Sequence, residues 1–209
     1  MTASNTFPFF GDYKPENLIN GSGLSGGLHD GGYTNMWTTD QTLQSATLLF
    51  DLGAAYALDG INIWNYNTDF GMGYSLARGA KDFTVELSLD GVSFTEVLAD
   101  TLDKGTGLPL PAESFALDGE ARYVRLNLLN NYGDQWTAVG LSEVNFVADV
   151  PELPDIELYL HALGPRLLSR TLERVRLTSA FLVRSVDPPL QRVEGRRVVT
   201  NLSPGPDGH

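Results

Sequence analysis

The chain reads as mainly β: a jelly-roll β-sandwich, then a small α+β fragment (helix then strands), then a disordered tail. Three observations predict this. Short apolar runs are separated by clusters of Gly, Asp and Asn, and no helical period of useful length appears before residue 150. Composition also changes there: residues 1–149 carry 6 Lys+Arg against 19 Asp+Glu, a net −13, whereas residues 150–209 carry 8 against 7, all eight being Arg.

An N-terminal arm is expected over 1–14 and the sandwich over 15–149. Its clearest strands are 46–52, 60–66, 82–89, 123–129 and 141–147. Ile61, Ile63 and Asn65 alternate with Asn62, Trp64 and Tyr66, the pattern of a strand with one face in the core. Leu89-Asp90-Gly91-Val92 marks a turn between the runs 83–89 and 94–98. A smaller fragment is expected over 150–199. Pro154 suits the first turn of a helix, with Asp155 and Glu157 near its positive end. Ile156, Leu160, Leu163 and Leu167 form one apolar face, which Gly164-Pro165 bends or interrupts. Strands are expected at 172–183 and 193–199. The tail 200–209, rich in Pro and Gly, reads as disordered.

With 42% hydrophobic and 19% charged residues in 209, the chain can bury one full core plus an appendage. It has no cysteine, which excludes disulfides, cysteine-ligated zinc and cysteine nucleophiles. No run approaches the ~18 apolar residues of a membrane span. The opening residues lack a basic segment followed by an apolar one, so no signal peptide is visible. A monomer is expected. A module at −13 repels a DNA backbone, since affinity there comes mainly from neutralising phosphates.

The order of motifs in the first part is specific. Asp30-Gly31 and Trp37 come first, followed by Phe50-Asp51-Leu52-Gly53 and Ile61-Asn62-Ile63-Trp64-Asn65. Lys81-Asp82-Phe83-Thr84-Val85-Glu86-Leu87-Ser88-Leu89-Asp90-Gly91 and Ala121-Arg122-Tyr123-Val124-Arg125-Leu126 come next, and Gly140-Leu141-Ser142-Glu143-Val144-Asn145-Phe146 closes the series. Together, over about residues 15–147, they resemble the discoidin or coagulation-factor C-type domain and its relatives among carbohydrate-binding modules. The resemblance implies an eight-stranded jelly roll whose loops at one end bind glycans, lipid head groups or proteins, with Trp37 a core anchor. It also implies a structural calcium ion at Asp30 and Glu143, with Asn35 offering a carbonyl oxygen where the family often has Thr. Calcium takes six to eight hard oxygen ligands; alternatively, Asp30 and Glu143 cap turns. Family members of this type suggest an extracellular location.

Ligand contacts are expected from aromatic side chains in loops, which stack on sugar C–H faces while polar neighbours bond the hydroxyls. Tyr66, Asp69, Tyr74 and Arg78 in the loop 66–80 are candidates, with Tyr132 and Trp136 in the loop 130–139. These aromatics alternatively brace two long loops. No nucleophile–base pair is visible, and His29 reads as a loop residue.

Val150-Pro151-Glu152-Leu153-Pro154-Asp155, the apolar face after it and Gly195-Arg196-Arg197-Val198-Val199 resemble the start of the formamidopyrimidine-DNA glycosylase/endonuclease VIII family. That resemblance implies base-excision DNA repair, with Pro151 as nucleophile and Glu152 in acid/base steps, and it suggests a cytoplasmic protein. The chemistry fails in an intact chain. A free α-amine is a useful nucleophile near neutral pH, but an internal proline nitrogen is a tertiary amide whose lone pair is delocalised. The expectation is therefore a binding module joined to an inactive glycosylase fragment, or two joined reading frames. Glycosylase/apurinic-site lyase activity is expected only if Pro151 becomes N-terminal.

Overall fold

A computed structural model describes residues 1–8, 12–71 and 73–148. Among these, the strands are β1 (Thr2–Ala3), β2 (Leu24–Ser25), β3 (Leu28–His29), β4 (Trp37–Thr38), β5 (Ala46–Asn65), β6 (Asp82–Ser88), β7 (Thr95–Thr101), β8 (Leu110–Pro111), β9 (Glu113–Leu128) and β10 (Gly140–Ala148). The larger sheet runs β4-β10-β5-β9-β6-β7, with β1 added on β5; β2, β3 and β8 form a second, small sheet. All strand pairs are antiparallel.

Two long strands organise the sandwich. The sequence reads 46–52 and 60–66 as separate strands, but all of these residues except Tyr66 belong to β5, which stays paired to β9 through register shifts after Asp51 and Leu58. Ala46, Leu48, Phe50 and Leu52 are buried, with more exposed residues between them, the period of a strand covered on one face. The core joins these to Ile61, Ile63, Phe83, Val85, Val124, Leu126 and Val144. Trp37 is fully buried there, and its indole N–H donates to Thr6 Oγ1 at 3.1 Å.

Alternation fails beyond Gly60. Trp64 and Tyr66 are buried as well as Ile61, Ile63 and Asn65. The second face of β5 is covered there by loop: Trp64 Nε1 donates to the Gly27 carbonyl at 3.1 Å. The β6–β7 turn forms where Asp90-Gly91 predicts it. Asp90 Oδ1 accepts the N–H groups of Val92 and Ser93, each at 2.8 Å, and these bonds hold its carboxyl down at about 2.

The expected "helix then strands" is corrected. Helical geometry among the described residues is confined to 3₁₀ turns at Pro15–Leu18, Tyr33–Asn35 and Ser75–Arg78, and none is long and apolar enough to cross a membrane. The helix placed after Pro154, the strands at 172–183 and 193–199 and the tail all fall outside the described residues.

Candidate functional site

The end of the sandwich reached by β5 at Asn65 and left by β6 at Asp82 carries the loops read as a binding face. Asn65 braces them. Its side-chain N–H groups donate to the carbonyls of Ala80 (2.8 Å) and Asp103 (2.7 Å), and its Oδ1 accepts the Tyr66 N–H. Asn67 Oδ1 takes the N–H groups of Thr106 and Gly107, and its Nδ2 donates to Leu108 O. A buried amide satisfied on both atoms fixes backbone at three places at once.

The two predicted ligand loops are joined. Arg78, at the end of the Ser75–Arg78 turn, donates from Nε to Asp134 Oδ2 at 3.2 Å, and both side chains are buried. The same oxygen accepts the Ala138 N–H, while Asp134 Oδ1 has no partner among the described residues. Tyr132 N–H donates to Ala77 O at 2.9 Å, and its hydroxyl to Leu102 O. Next to Trp136, Thr137 sits at φ 52° with its hydroxyl on Gln41 O, a left-handed conformation that costs a β-branched residue about 1–2 kcal/mol. The loop is built to hold one shape.

Of the predicted ligand residues, Trp136 and Tyr74 are exposed, at 47% and 38%. Asp69 is exposed, but one oxygen is used locally, accepting the Gly71 and Gly73 N–H groups. Arg78 and Tyr132 are tied to protein partners. Tyr66 is fully buried, so it backs the rim instead of facing a ligand. Sequence reasoning left out Tyr33. Its ring lies 5.9 Å from that of exposed Phe70 and 6.1 Å from that of Tyr13, which in turn meets Phe7 at 5.6 Å. Burial and the neighbouring Tyr66 push the Tyr13 hydroxyl well above the usual phenol range. Tyr33 sits three residues after Asp30 in a segment read only for its calcium candidates, and its place at the rim depends on the distant Phe70.

The expected metal residues are less concentrated than their motif suggests. Asp30 Oδ1 accepts the Gly32 N–H at 2.9 Å, and Asn35 Nδ2 lies 3.1–3.2 Å from both Asp30 oxygens. In this orientation Asn35 is a donor to Asp30. Glu143 is only 4% exposed, and both its oxygens lie 3.2 Å from the Gly21 N–H. Burial pushes its carboxyl up to about 8, against the opposing effect of that hydrogen bond. Ser22 Oγ is also buried, with no partner among the described residues. No group of three or more His, Asp or Glu side chains that could hold a metal ion occurs among the described residues. His29, read as a loop residue, is the last residue of β3 and fully buried, with Nδ1 2.9 Å from Asp30 O.

A twisted β-sandwich with a braced aromatic rim at one end defines a ligand-binding module. The family comparison agrees: residues 1–143 match the F5/8 type C domain, and the chain belongs to that family. Among solved structures, the C-terminal domain of a chitobiase from Bacteroides fragilis aligns with TM-score 0.54 and 12% identity, over 73% of this chain and 93% of that one. CBM32-3 from a family 31 glycoside hydrolase of Clostridium perfringens aligns with TM-score 0.50 and 19% identity, over 71% and 89%. These likenesses are of fold. No curated protein matches.

The resemblance of residues 151–199 to a DNA glycosylase is corrected. The matching family ends at residue 143, and nothing in these comparisons supports a glycosylase, its DNA-repair role or the roles of Pro151 and Glu152. Both residues lie outside those described, and the amide at an internal proline already removes the nucleophile.

Proposed function

We propose that this domain binds glycan through its loop rim and that a calcium ion stabilises the loops beneath. One observation carries the reading: Trp136, Tyr74 and Phe70 present exposed rings on loops braced by a buried ion pair and satisfied asparagines, and the exposed Tyr33 ring packs against Phe70. Rigid aromatic faces bind sugar rings without ordering cost in the protein. The fold neighbours that belong to a chitobiase and to a glycoside hydrolase favour glycan over other surface ligands.

For calcium, the donor chemistry fits at Glu143. A buried carboxylate with one backbone N–H for company, that of Gly21, next in sequence to Ser22, whose buried hydroxyl has no partner among the described residues, is stabilised by a hard cation. Glu143 and Asp30 would supply charge, with backbone carbonyls completing the shell; Asn35 joins only if its amide turns its oxygen inward. The ion would fix loop geometry.

A glycan array with wild type, Trp136→Ala and Phe70→Ala tests the rim. Loss of binding in either variant supports it, and full binding by both places the site elsewhere. Melting with and without chelator tests the ion; an unchanged midpoint removes it.

A further inference from the structure

At the far end of β6 from the rim lies an open groove of about 400 Å³. Its lining includes the aliphatic Leu87, Leu89 and Val97, Gly119, and the acidic residues Asp90 and Glu120. Leu89 is 57% exposed, and Val92, on the turn beside it, 83%. Solitary exposed aliphatics are common, but a group of them around a groove marks an interaction surface.

The groove opens beside a strand edge. β7 ends the larger sheet and pairs with β6 only, so its outer edge takes no strand among the described residues. Of the six β7 residues besides Val97, all but Leu98 are also exposed. A free edge offers backbone N–H and C=O groups to an incoming strand.

Charge decides what that strand is. Asp90 and Glu120 line the groove and Glu96 and Asp100 stand on β7. No Lys or Arg lines the groove. The nearby basic residues are already paired, Arg122 with Asp51 at 2.9 Å and Arg125 with Glu86. A second copy of the module is a poor occupant: antiparallel β7 strands would bring Glu96 and Asp100 against the same carboxylates, and like charges across a strand pair are destabilising. Val97 is an extra, bulged residue, since Val85 pairs with Leu98 and Glu86 with Glu96. Such bulges guard an edge against long uniform pairing while leaving room for a short segment.

We propose that this groove and the β7 edge receive a short extended peptide, with Lys or Arg alternating with aliphatic residues. Its backbone extends the sheet beside β7, one aliphatic side chain enters between Leu87 and Val97, and its cations meet Asp90, Glu96 and Glu120. This site is separate from the glycan rim, and the two bind independently.

The probe is a fluorescein-labelled peptide of alternating arginine and valine, with an alternating glutamate and valine twin, titrated against the full chain by anisotropy. Backbone amide spectra locate the contact. The basic peptide is expected to bind at least ten-fold tighter than the acidic one and to shift amides of Thr95–Thr101 and Gly119. Val97→Arg and Glu96→Lys, both on the exposed strand, should each weaken it ten-fold or more while leaving the melting temperature within a few degrees. Equal binding of the two peptides, shifts confined to other surfaces, or affinity unchanged in both variants overturns the proposal. Concentration-dependent self-association blocked by Val97→Arg also overturns it, in favour of a second copy.

Discussion

Replacing Glu143 with Gln should stabilise the protein without calcium and destabilise it with calcium. The folded carboxyl is held at about 8, against an ordinary value of 4.5, because burial disfavours its charge. In the absence of a cation the fold therefore retains a proton that the unfolded chain releases. That contribution is complete below about pH 4.5 and is lost as pH rises through about 8. Keeping a carboxyl at about 8 instead of 4.5 is worth about 5 kcal/mol, an upper figure because water entry relaxes a buried charge. Glutamine keeps the shape and an acceptor for Gly21 N–H and has no proton to lose. Urea unfolding from pH 5 to 9 in chelator should give a falling curve for wild type and a flat one for Glu143→Gln, with the variant several kcal/mol ahead at pH 9. Calcium should reverse the order, raising wild type and leaving the variant unmoved. Parallel curves for the two proteins in chelator would refute the claim that burial acts on this carboxylate. Equal stabilisation of both by calcium would refute Glu143 as a ligand.

The rim gives four further predictions. Arg78→Met or Asp134→Asn alone should cost about 3–5 kcal/mol, because each leaves a partner buried without its counterpart; the double variant should recover much of this in chemical denaturation. Trp136→Ala should weaken glycan binding ten-fold or more by calorimetry, with little change in stability, since the ring is half exposed. Tyr66→Ala should act in the opposite sense, lowering stability by about 3–5 kcal/mol because the ring is fully buried, so reduced binding at Tyr66 reports folding and not contact. Asn65→Leu should cost about 2–3 kcal/mol, because it leaves the carbonyls of Ala80 and Asp103 unpaired, and raise hydrogen exchange at the Tyr66 amide, which loses its acceptor.

Strand existence was legible because period-2 burial is written locally: Ala46, Leu48, Phe50 and Leu52 need no knowledge of what covers them. Asp90-Gly91 marks its turn for the same reason. The misread residues depend on distant chain. Tyr66 looks like a loop aromatic by neighbours, yet Met36 and Tyr13 pack over it from thirty or more residues away. Arg78 looks like a free cation until Asp134, 56 positions on, takes its Nε. Asn35 looks like a carbonyl donor, but as placed it donates to Asp30.

The Pro151-Glu152 motif failed differently. It was legible as letters, but letters fix chemistry only where covalent context agrees, and a tertiary amide cannot do the work of a free amine. The rim illustrates the reverse case. No single loop residue there is diagnostic. Its reading as a binding face rests on long-range restraint, with Asn65, Asn67 and the Arg78–Asp134 pair holding exposed rings in place. Removing that restraint should therefore weaken binding even when every exposed aromatic is kept. Asn65→Leu is the discriminating variant: glycan affinity that falls while Trp136, Tyr74 and Phe70 remain would show that rigidity, and not ring content alone, makes the site.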